Sequence, residues 1–194
     1  MQASLTISER QQLLAIARQA LEASVHGATL PPLQMDQLPK ALSQVGASFV
    51  TLTCQDELRG CIGALEAYQP LAEDVRQHAI AAALQDYRFP PVQPQELNQI
   101  EIEISYLTSP VPLVYSSPAK LLELLRPGID GVILQHERHR ATFLPQVWEK
   151  IPDKAEFLSH LCAKMGVAPD LWQKKLLQVF VYQVEEFKEP RRTV

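Results

Sequence analysis

Cysteine is scarce in this chain, and long apolar runs are missing. Three cysteines among 194 residues are an odd number, which argues against a disulfide-stapled secreted scaffold and for a reducing compartment. The opening MQASLTISER has neither a basic cluster nor an apolar signal segment, and no later apolar stretch approaches the roughly 20 residues that a membrane helix needs. We therefore expect a soluble, cytoplasmic protein that binds no membrane.

Clustered positive charge and nucleotide motifs are absent as well. The formal net charge is -4, the pI is near 5.7, and no run of Lys or Arg is longer than the pairs Lys174-Lys175 and Arg191-Arg192. This charge balance argues against a nucleic-acid footprint, so no nucleic-acid partner is expected. The sequence contains no Gly-rich phosphate loop, no CxxC motif and no nucleotide or SAM fingerprint, so it identifies no cofactor.

What is present predicts a mixture of helices and antiparallel strands. Thr6 and Glu9 form a capping-box pattern that begins a helix ending near Gly27, and the proline-broken residues 28–42 predict an extended connector. IEIEISYL alternates with period 2 and predicts a half-buried strand. The other predicted elements are helices in PLAEDVRQHAIAAALQD, SPAKLLELLRPG and DKAEFLSHLCAKMG, hairpins in SFVTLTC-QDE-LRGCIG and GVILQHERHRATFL, and one final strand in LLQVFVYQVEEF. The predicted class is α+β with a mainly antiparallel sheet.

The segment LRGCIG, residues 58–63, is unusual for a strand because it carries two glycines, an arginine and a cysteine. Strand glycines mark bulges or places where a backbone or ligand approaches closely. Period-2 alternation places Arg59 and Cys61 on one face, where a guanidinium favours the nucleophilic thiolate. Cys61 is thus a candidate nucleophile, while the alternative is a small packed hydrophobe. The hairpin allows Cys54 to face Cys61, and a structural disulfide between them is not expected.

Other segments supply weaker candidates. His136 and His139 in HERH have no obvious third ligand nearby, so turn histidines are favoured over a metal site. Arg88, in the stiff loop DYRFPP, is suited either to presenting a guanidinium to an anion or to capping the preceding helix. Glu101 and Glu103 share one strand face and fit either binding carboxylates or a solvated sheet face.

Several of these segments together resemble the AMMECR domain family. The similarity is carried by FVTL followed by LRGCIG, AAALQDYRFPPV, EIEIS, GIDGVIL, ATFLPQVWE and FLSHLCAKMG, in this order and over most of the chain. Asp130, Trp148 and Glu149 are similar to the bacterial members of the AmmeMemoRadiSam system. The resemblance implies, as partners, a Memo-like protein similar to extradiol dioxygenases and a radical SAM protein.

The resemblance also implies one AMMECR-like domain over residues 1–194, with a larger lobe holding both termini, a smaller lobe and a cleft. Tyr87 and Asp130 depart from residues common in the family, which are proline and histidine. The implied site has Cys61 and Arg59 as catalytic candidates and, as substrate-binding candidates, Gly60, Gly63, Arg88, Phe89, Glu103, Ser105 and Thr142.

Two functions from different classes follow from these observations. In the first, the chain is an enzyme or accessory protein of small-molecule metabolism, in which Cys61 attacks or anchors an electrophile and Arg88 binds an anionic group. In the second, the same site is a non-catalytic binding or regulatory module, in which Gly60 and Gly63 let a peptide or protein partner approach and Cys61 only packs.

Overall fold

The chain folds into helices and antiparallel strands that belong to two separate units. The computed structural model describes residues 4–190. The first unit comprises residues 4–107 and 185–190 of this range, and the second comprises Thr108–Val184. Each unit has its own hydrophobic core. The predicted α+β class is therefore confirmed, with antiparallel sheets as expected.

The first unit is built on a five-stranded sheet with the order β2-β1-β4-β9, in which β3 also pairs with β1. Its elements are α1 (Ile7–Val25), α2 (Lys40–Ser43), β1 (Val45–Cys54), β2 (Glu57–Gly63), β3 (Gln69–Pro70), α3 (Leu71–Leu84), β4 (Ile100–Leu107) and β9 (Val184–Lys188).

The core of this unit lies between α1, α3 and one face of the sheet. Val50 and Leu52 on β1 and the isoleucines of β4 are fully buried there, as the alternation of IEIEISYL predicts. Burial of each such side chain contributes about 1.5–3 kcal/mol. The opposite face of the sheet, which we call the outer face, carries the partly exposed residues of β1, β2 and β4.

The second unit holds a four-stranded sheet with the order β5-β8-β6-β7. Its elements are β5 (Val111–Pro112), α4 (Pro118–Leu124), β6 (Gly131–His136), β7 (His139–Phe143), α5 (Lys154–Lys164), α6 (Leu171–Lys174) and β8 (Gln178–Tyr182). The predicted hairpin around Glu137 is confirmed, and Glu137 adopts a positive φ of 55° at its turn. Ser117 and Asp153 cap their helices as predicted.

Two sequence predictions about elements are wrong. The connector after α1 is not extended throughout, because it contains a 3-10 turn at Met35–Gln37 and the short helix α2. The final apolar run is two strands rather than one, since β8 joins the second sheet and β9 joins the first. The break falls at Gln183. Its backbone N–H donates a hydrogen bond to the Thr108 hydroxyl, and its backbone oxygen accepts one from the Thr108 N–H.

Candidate functional site

Cys61 lies at the β2 end of a row of side chains that crosses three strands of the first unit. The register of the antiparallel pairs aligns Cys61 on β2 with Thr51 on β1, and Thr51 with Glu103 on β4. Directly opposed residues project from the same face of a sheet, so these three side chains share the outer face. The Thr51 hydroxyl lies 3.3 Å from Cys61 Sγ and donates a hydrogen bond to it. We call these three residues the Cys61 row.

The neighbouring row contains two further predicted site residues. Gly63 on β2 is aligned with Phe49 on β1, and Phe49 is aligned with Ser105 on β4. The alternation of the strands places this row on the outer face beside the Cys61 row. The fold therefore brings Cys61, Gly63, Glu103 and Ser105 together on adjacent positions of one sheet face.

Arg59 does not follow this pattern, because the pairing of β1 with β2 slips by one residue at this position. Leu52 is aligned with Gly60, but the next residue of β1, Thr53, is aligned with Leu58. Leu58, rather than Arg59, thus occupies the aligned position on the Cys61 face. The Arg59 guanidinium instead forms two hydrogen bonds to Glu96, from Nε at 2.8 Å and from Nη2 at 3.1 Å. The predicted period-2 pairing of Arg59 with Cys61 is wrong at this bulge.

The Arg59–Glu96 pair is largely buried, with 13% of the Arg59 side chain exposed. The guanidinium hydrogen bonds lower the pKa of the Glu96 carboxyl from its usual value, against the opposing effect of burial. This pair ties β2 to the loop that precedes β4. Glu96 thus gives Arg59 Nε and Nη2 a partner inside the protein, while Nη1 is buried without a hydrogen-bond partner among the described residues.

Both glycines of the segment have neighbours within the protein that explain them. A Cβ atom added to Gly60 would lie 2.2 Å from the backbone oxygen of Ala82 in α3. A Cβ added to Gly63 would lie 2.4 Å from the Phe49 ring and 2.5 Å from the backbone oxygen of Ser48. The close approach that strand glycines indicate is thus made by helix α3 and by an aromatic ring on the adjacent strand.

The backbone of Cys61 is held by Asp86, which lies just after α3 and is only 5% exposed. The Cys61 N–H donates to Asp86 Oδ2 at 2.8 Å. Arg88 donates to the same carboxylate from Nε at 2.9 Å, from Nη2 at 2.7 Å and from its backbone N–H at 3.2 Å. The hydrogen bonds of Arg88, first among several causes, hold the pKa of Asp86 well below its usual range.

Arg88 completes the contact by donating from Nη2 to the backbone oxygen of Cys61 at 3.2 Å. Because β2 is the edge strand of its sheet, Asp86 and Arg88 together cover the free backbone groups of the edge at Cys61. The Arg88 guanidinium also lies 5.5 Å from the centre of the Phe89 ring. The Arg88 side chain donates to Asp86 and Cys61 rather than to the carbonyl groups of α3, so the alternative in which it caps that helix is wrong. The hydrogen bond to Asp86 raises the pKa of the Arg88 guanidinium from its usual value.

The three cysteines are free and differ in their surroundings. Cys54 is aligned with Glu57, so it does not face Cys61, and it packs against the core of the first unit. Cys162 is fully buried in the core of the second unit, where burial raises the pKa of its thiol. Cys61 is partly exposed and has a polar neighbour at Sγ.

Thr142 lies on β7 in the second unit, where its hydroxyl is 3.0 Å from the Tyr182 hydroxyl. His136 and His139 oppose each other in the hairpin of the same unit, and His139 Nδ1 lies 3.2 Å from the backbone oxygen of Met165. Within residues 4–190, no group of three or more His, Cys, Asp or Glu side chains is placed to hold a metal ion.

Asp86, Thr51 and Glu96 contact the predicted site residues directly but were not identified from the sequence. Asp86 and Glu96 both lie in the segment between α3 and β4, far along the chain from β2. The nearest sequence signal is the Asp86-Tyr87-Arg88 spacing before two prolines, which gives no indication that the aspartate is buried. Thr51 could be identified as the neighbour of Cys61 only if the register of the β1–β2 hairpin were already known.

The fold and the site define the chain as an α+β protein whose antiparallel sheet carries a polar row around a free cysteine. The chain belongs to the AMMECR1 family, whose model matches residues 14–187. It is 40% identical over 192 residues to a protein of Methanothermobacter thermautotrophicus, covering 96% of this chain and 97% of that one. It is 35% identical over 192 residues to Protein MJ0810 of Methanocaldococcus jannaschii, covering 95% of this chain and 92% of that one.

A solved structure shows the same fold. The crystal structure of the uncharacterized protein PH0010 from Pyrococcus horikoshii matches with a TM-score of 0.73 and 31% identity, covering 97% of this chain and 95% of that one. In the described part of the chain, no helix is both long and apolar enough to cross a membrane.

Proposed function

We propose that the Cys61 row binds a small electrophilic molecule and that the Cys61 thiol is its nucleophile. The observation that carries the proposal is the setting of Cys61: its Sγ accepts a hydrogen bond from Thr51 and its backbone is clamped by Asp86 and Arg88. The donor at sulfur and the backbone clamp fix the position of the thiol on the outer face of the sheet. A cysteine that only packs, such as Cys162, lies in an apolar core instead.

The proposed reaction is displacement of a leaving group from an electrophilic carbon by the Cys61 sulfur. A sulfur–carbon bond forms, the bond from that carbon to the leaving group breaks as the group departs with its electron pair, and the thiol proton passes to solvent. Arg88 binds an anionic group of the substrate. Arg59 contributes by fixing β2 to Glu96, which replaces the direct activation of Cys61 expected from the sequence.

The remaining candidates enter the proposal through the resemblance to the family. Gly63 and Ser105 border the Cys61 row, Phe89 lies beside Arg88, and Thr142 lies in the second unit. The family resemblance also supports a shared pathway with a Memo-like protein and a radical SAM protein in the cytoplasm. We propose the chain as the small-molecule enzyme or accessory protein of that group.

The test is the rate at which iodoacetamide alkylates Cys61 at pH 7, measured by peptide mapping and mass spectrometry. We expect Cys61 to react at least about ten times faster in the folded protein than in the urea-unfolded chain, and Thr51→Val to remove most of this acceleration. Cys54 is the internal control, because it lies in the adjacent strand and packs on the core. A folded Cys61 that reacts no faster than the unfolded chain would overturn the proposal.

A second candidate function is a non-catalytic binding module at the same surface. It is favoured by Tyr87, whose side chain is 95% exposed between Asp86 and Arg88. Exposed aromatic residues beside an arginine are typical of interface hot spots. If a partner such as the Memo-like protein docks here, Tyr87→Ala will weaken its binding in calorimetry at least about tenfold, whereas Cys61→Ser will leave it unchanged. Equal affinity for wild type and Tyr87→Ala would contradict this candidate.

A further inference from the structure

Asp86 determines which way the Arg88 guanidinium points. Nε donates to Oδ1 and Nη2 donates to Oδ2, so the carboxylate contacts one edge of the planar guanidinium through two parallel hydrogen bonds. Nη2 also donates to the Cys61 backbone oxygen. Among the residues that the structure describes, Nη1 has no hydrogen-bond partner. The arginine is therefore fixed through Nε and Nη2, and its remaining donors are the two hydrogens of Nη1.

The charges of this pair are separated in space. Asp86 is buried, and its two oxygens are used by the donors of Arg88 and by the Cys61 N–H. The Arg88 side chain is 45% exposed, and it donates a hydrogen bond to the backbone oxygen of Cys61. The pair is neutral as a whole, but its positive edge faces outward. A molecule that approaches Cys61 meets this positive edge, whereas the balancing negative charge is shielded.

We propose that Asp86 is a positioning residue that aims Arg88, and that the Cys61 site thereby selects electrophiles carrying a carboxylate. The free Nη1 can donate charge-assisted hydrogen bonds to a carboxylate, and a guanidinium already fixed by a buried partner loses less conformational freedom on binding. This inference rests on the proposed function of Cys61 and adds its substrate class. It assigns to Asp86 a role in binding through Arg88, without contact to the substrate.

The experiment compares two alkylating agents that differ in charge, iodoacetate and neutral iodoacetamide. Both react with Cys61 by forming a sulfur–carbon bond while iodide leaves with its electron pair and the thiol proton passes to solvent. The quantity measured is the iodoacetate-to-iodoacetamide rate ratio at Cys61 in the folded protein, divided by the same ratio in urea. We expect a value of about 5 at low salt, falling toward 1 in about 1 M salt, because a half-exposed ion pair is weak and screened.

The variants separate positioning from simple folding. Asp86→Asn and Arg88→Gln are both expected to bring the ratio to about 1, and the ratio stays interpretable if either variant changes the iodoacetamide rate, because both reagents report on the same thiol. Asp86→Glu is expected to restore part of the preference. The matched control is Asp130→Asn in the second unit, because Asp130 is also buried and also accepts two side-chain bonds and a backbone bond from one exposed arginine, Arg126. Its ratio should equal that of wild type.

The outcomes of the experiment are distinguishable. If iodoacetamide alkylates folded Cys61 rapidly but the normalised ratio is 1, the inference is overturned and the proposed function stands. An Arg88→Gln protein that keeps the wild-type ratio also overturns it, and this variant tests the inference even if Asp86→Asn fails to fold. If neither reagent reacts faster with the folded protein, the proposed function is overturned, and the inference with it.

Discussion

The replacement Gly60→Ala tests whether this glycine serves packing inside the protein. Gly60 is buried on β2 beneath α3, where an added Cβ would lie 2.2 Å from the backbone oxygen of Ala82 and 3.1 Å from its carbonyl carbon. The Ala82 oxygen belongs to a helix backbone and cannot rotate away as a flexible side chain would. The substitution therefore requires the helix and the strand to separate.

The size of the effect follows from this distance. Ordinary contacts begin at 3.4 Å, so α3 must retreat by roughly 1.2 Å from β2. Overpacking of a well-packed core costs about 1–3 kcal/mol, and an immovable backbone neighbour favours the upper part of this range. The smaller conformational entropy of the unfolded alanine chain offsets about 0.4–1 kcal/mol. We expect a net loss of about 2 kcal/mol in the free energy of unfolding.

The assay is urea-induced unfolding at pH 7, with Gly27→Ala as the control. Gly27 has a positive φ of 69° and nothing within 4 Å of an added Cβ, so its replacement introduces backbone strain without a clash. This strain costs about 1 kcal/mol. A Gly60→Ala protein as stable as wild type would refute the packing explanation. If that stable protein had also lost Cys61 reactivity, the glycine would instead serve the approach of a ligand.

Two further predictions concern buried charges. Because the pKa of Asp86 is lower in the folded protein than the unfolded value of about 3.9, its stabilisation is complete above that value and is lost as the pH falls through the folded pKa. The stability difference between wild type and Asp86→Asn should thus be constant from about pH 5 to 8 in urea titrations and shrink below about pH 4; a difference that changes near neutrality would contradict this. Arg18 is buried, pairs with Glu189 and donates to the backbone oxygens of Leu97 and Ile100. Arg18→Met should therefore lower the free energy of unfolding by about 3–5 kcal/mol in the same assay. A loss below about 1 kcal/mol would contradict this and show that the groups bonded to Arg18 find other hydrogen-bond donors.

The sequence singled out LRGCIG as the candidate segment, and the structure changes the expected partner of one of its residues, Arg59. Cys61 was identified from residue types alone, and its exposure and polar neighbour are consistent with a chemical role. Arg59 was paired with Cys61 because strict alternation was assumed, whereas the hairpin slips at that residue. A bulge depends on how two strands twist against each other, and the local pattern of one strand does not contain this information.

The neighbours of Gly60 and Gly63 also could not be identified from the local sequence. LRGCIG indicated that something approaches β2 closely, and the structure identifies the neighbours as α3 and Phe49. Ala82 is distant from Gly60 in sequence, so no spacing rule relates the two. Asp86 was overlooked for the same reason: its importance comes from hydrogen bonds to β2 that form only when the loop after α3 packs against the edge strand.

Short-range sequence patterns were sufficient to predict most of the helices and strands of this protein. Capping residues, the period of apolar positions and turn residues act over a few neighbours, and they predicted α1, the two hairpins, β4 and the α+β class. Only the tertiary structure decided where the final apolar run divides between two sheets, which residue slips out of register and which carboxylate holds Cys61 and Arg88. Each of these depends on the pairing of segments far apart in the chain, because hydrogen-bond partners and close contacts are properties of the folded whole.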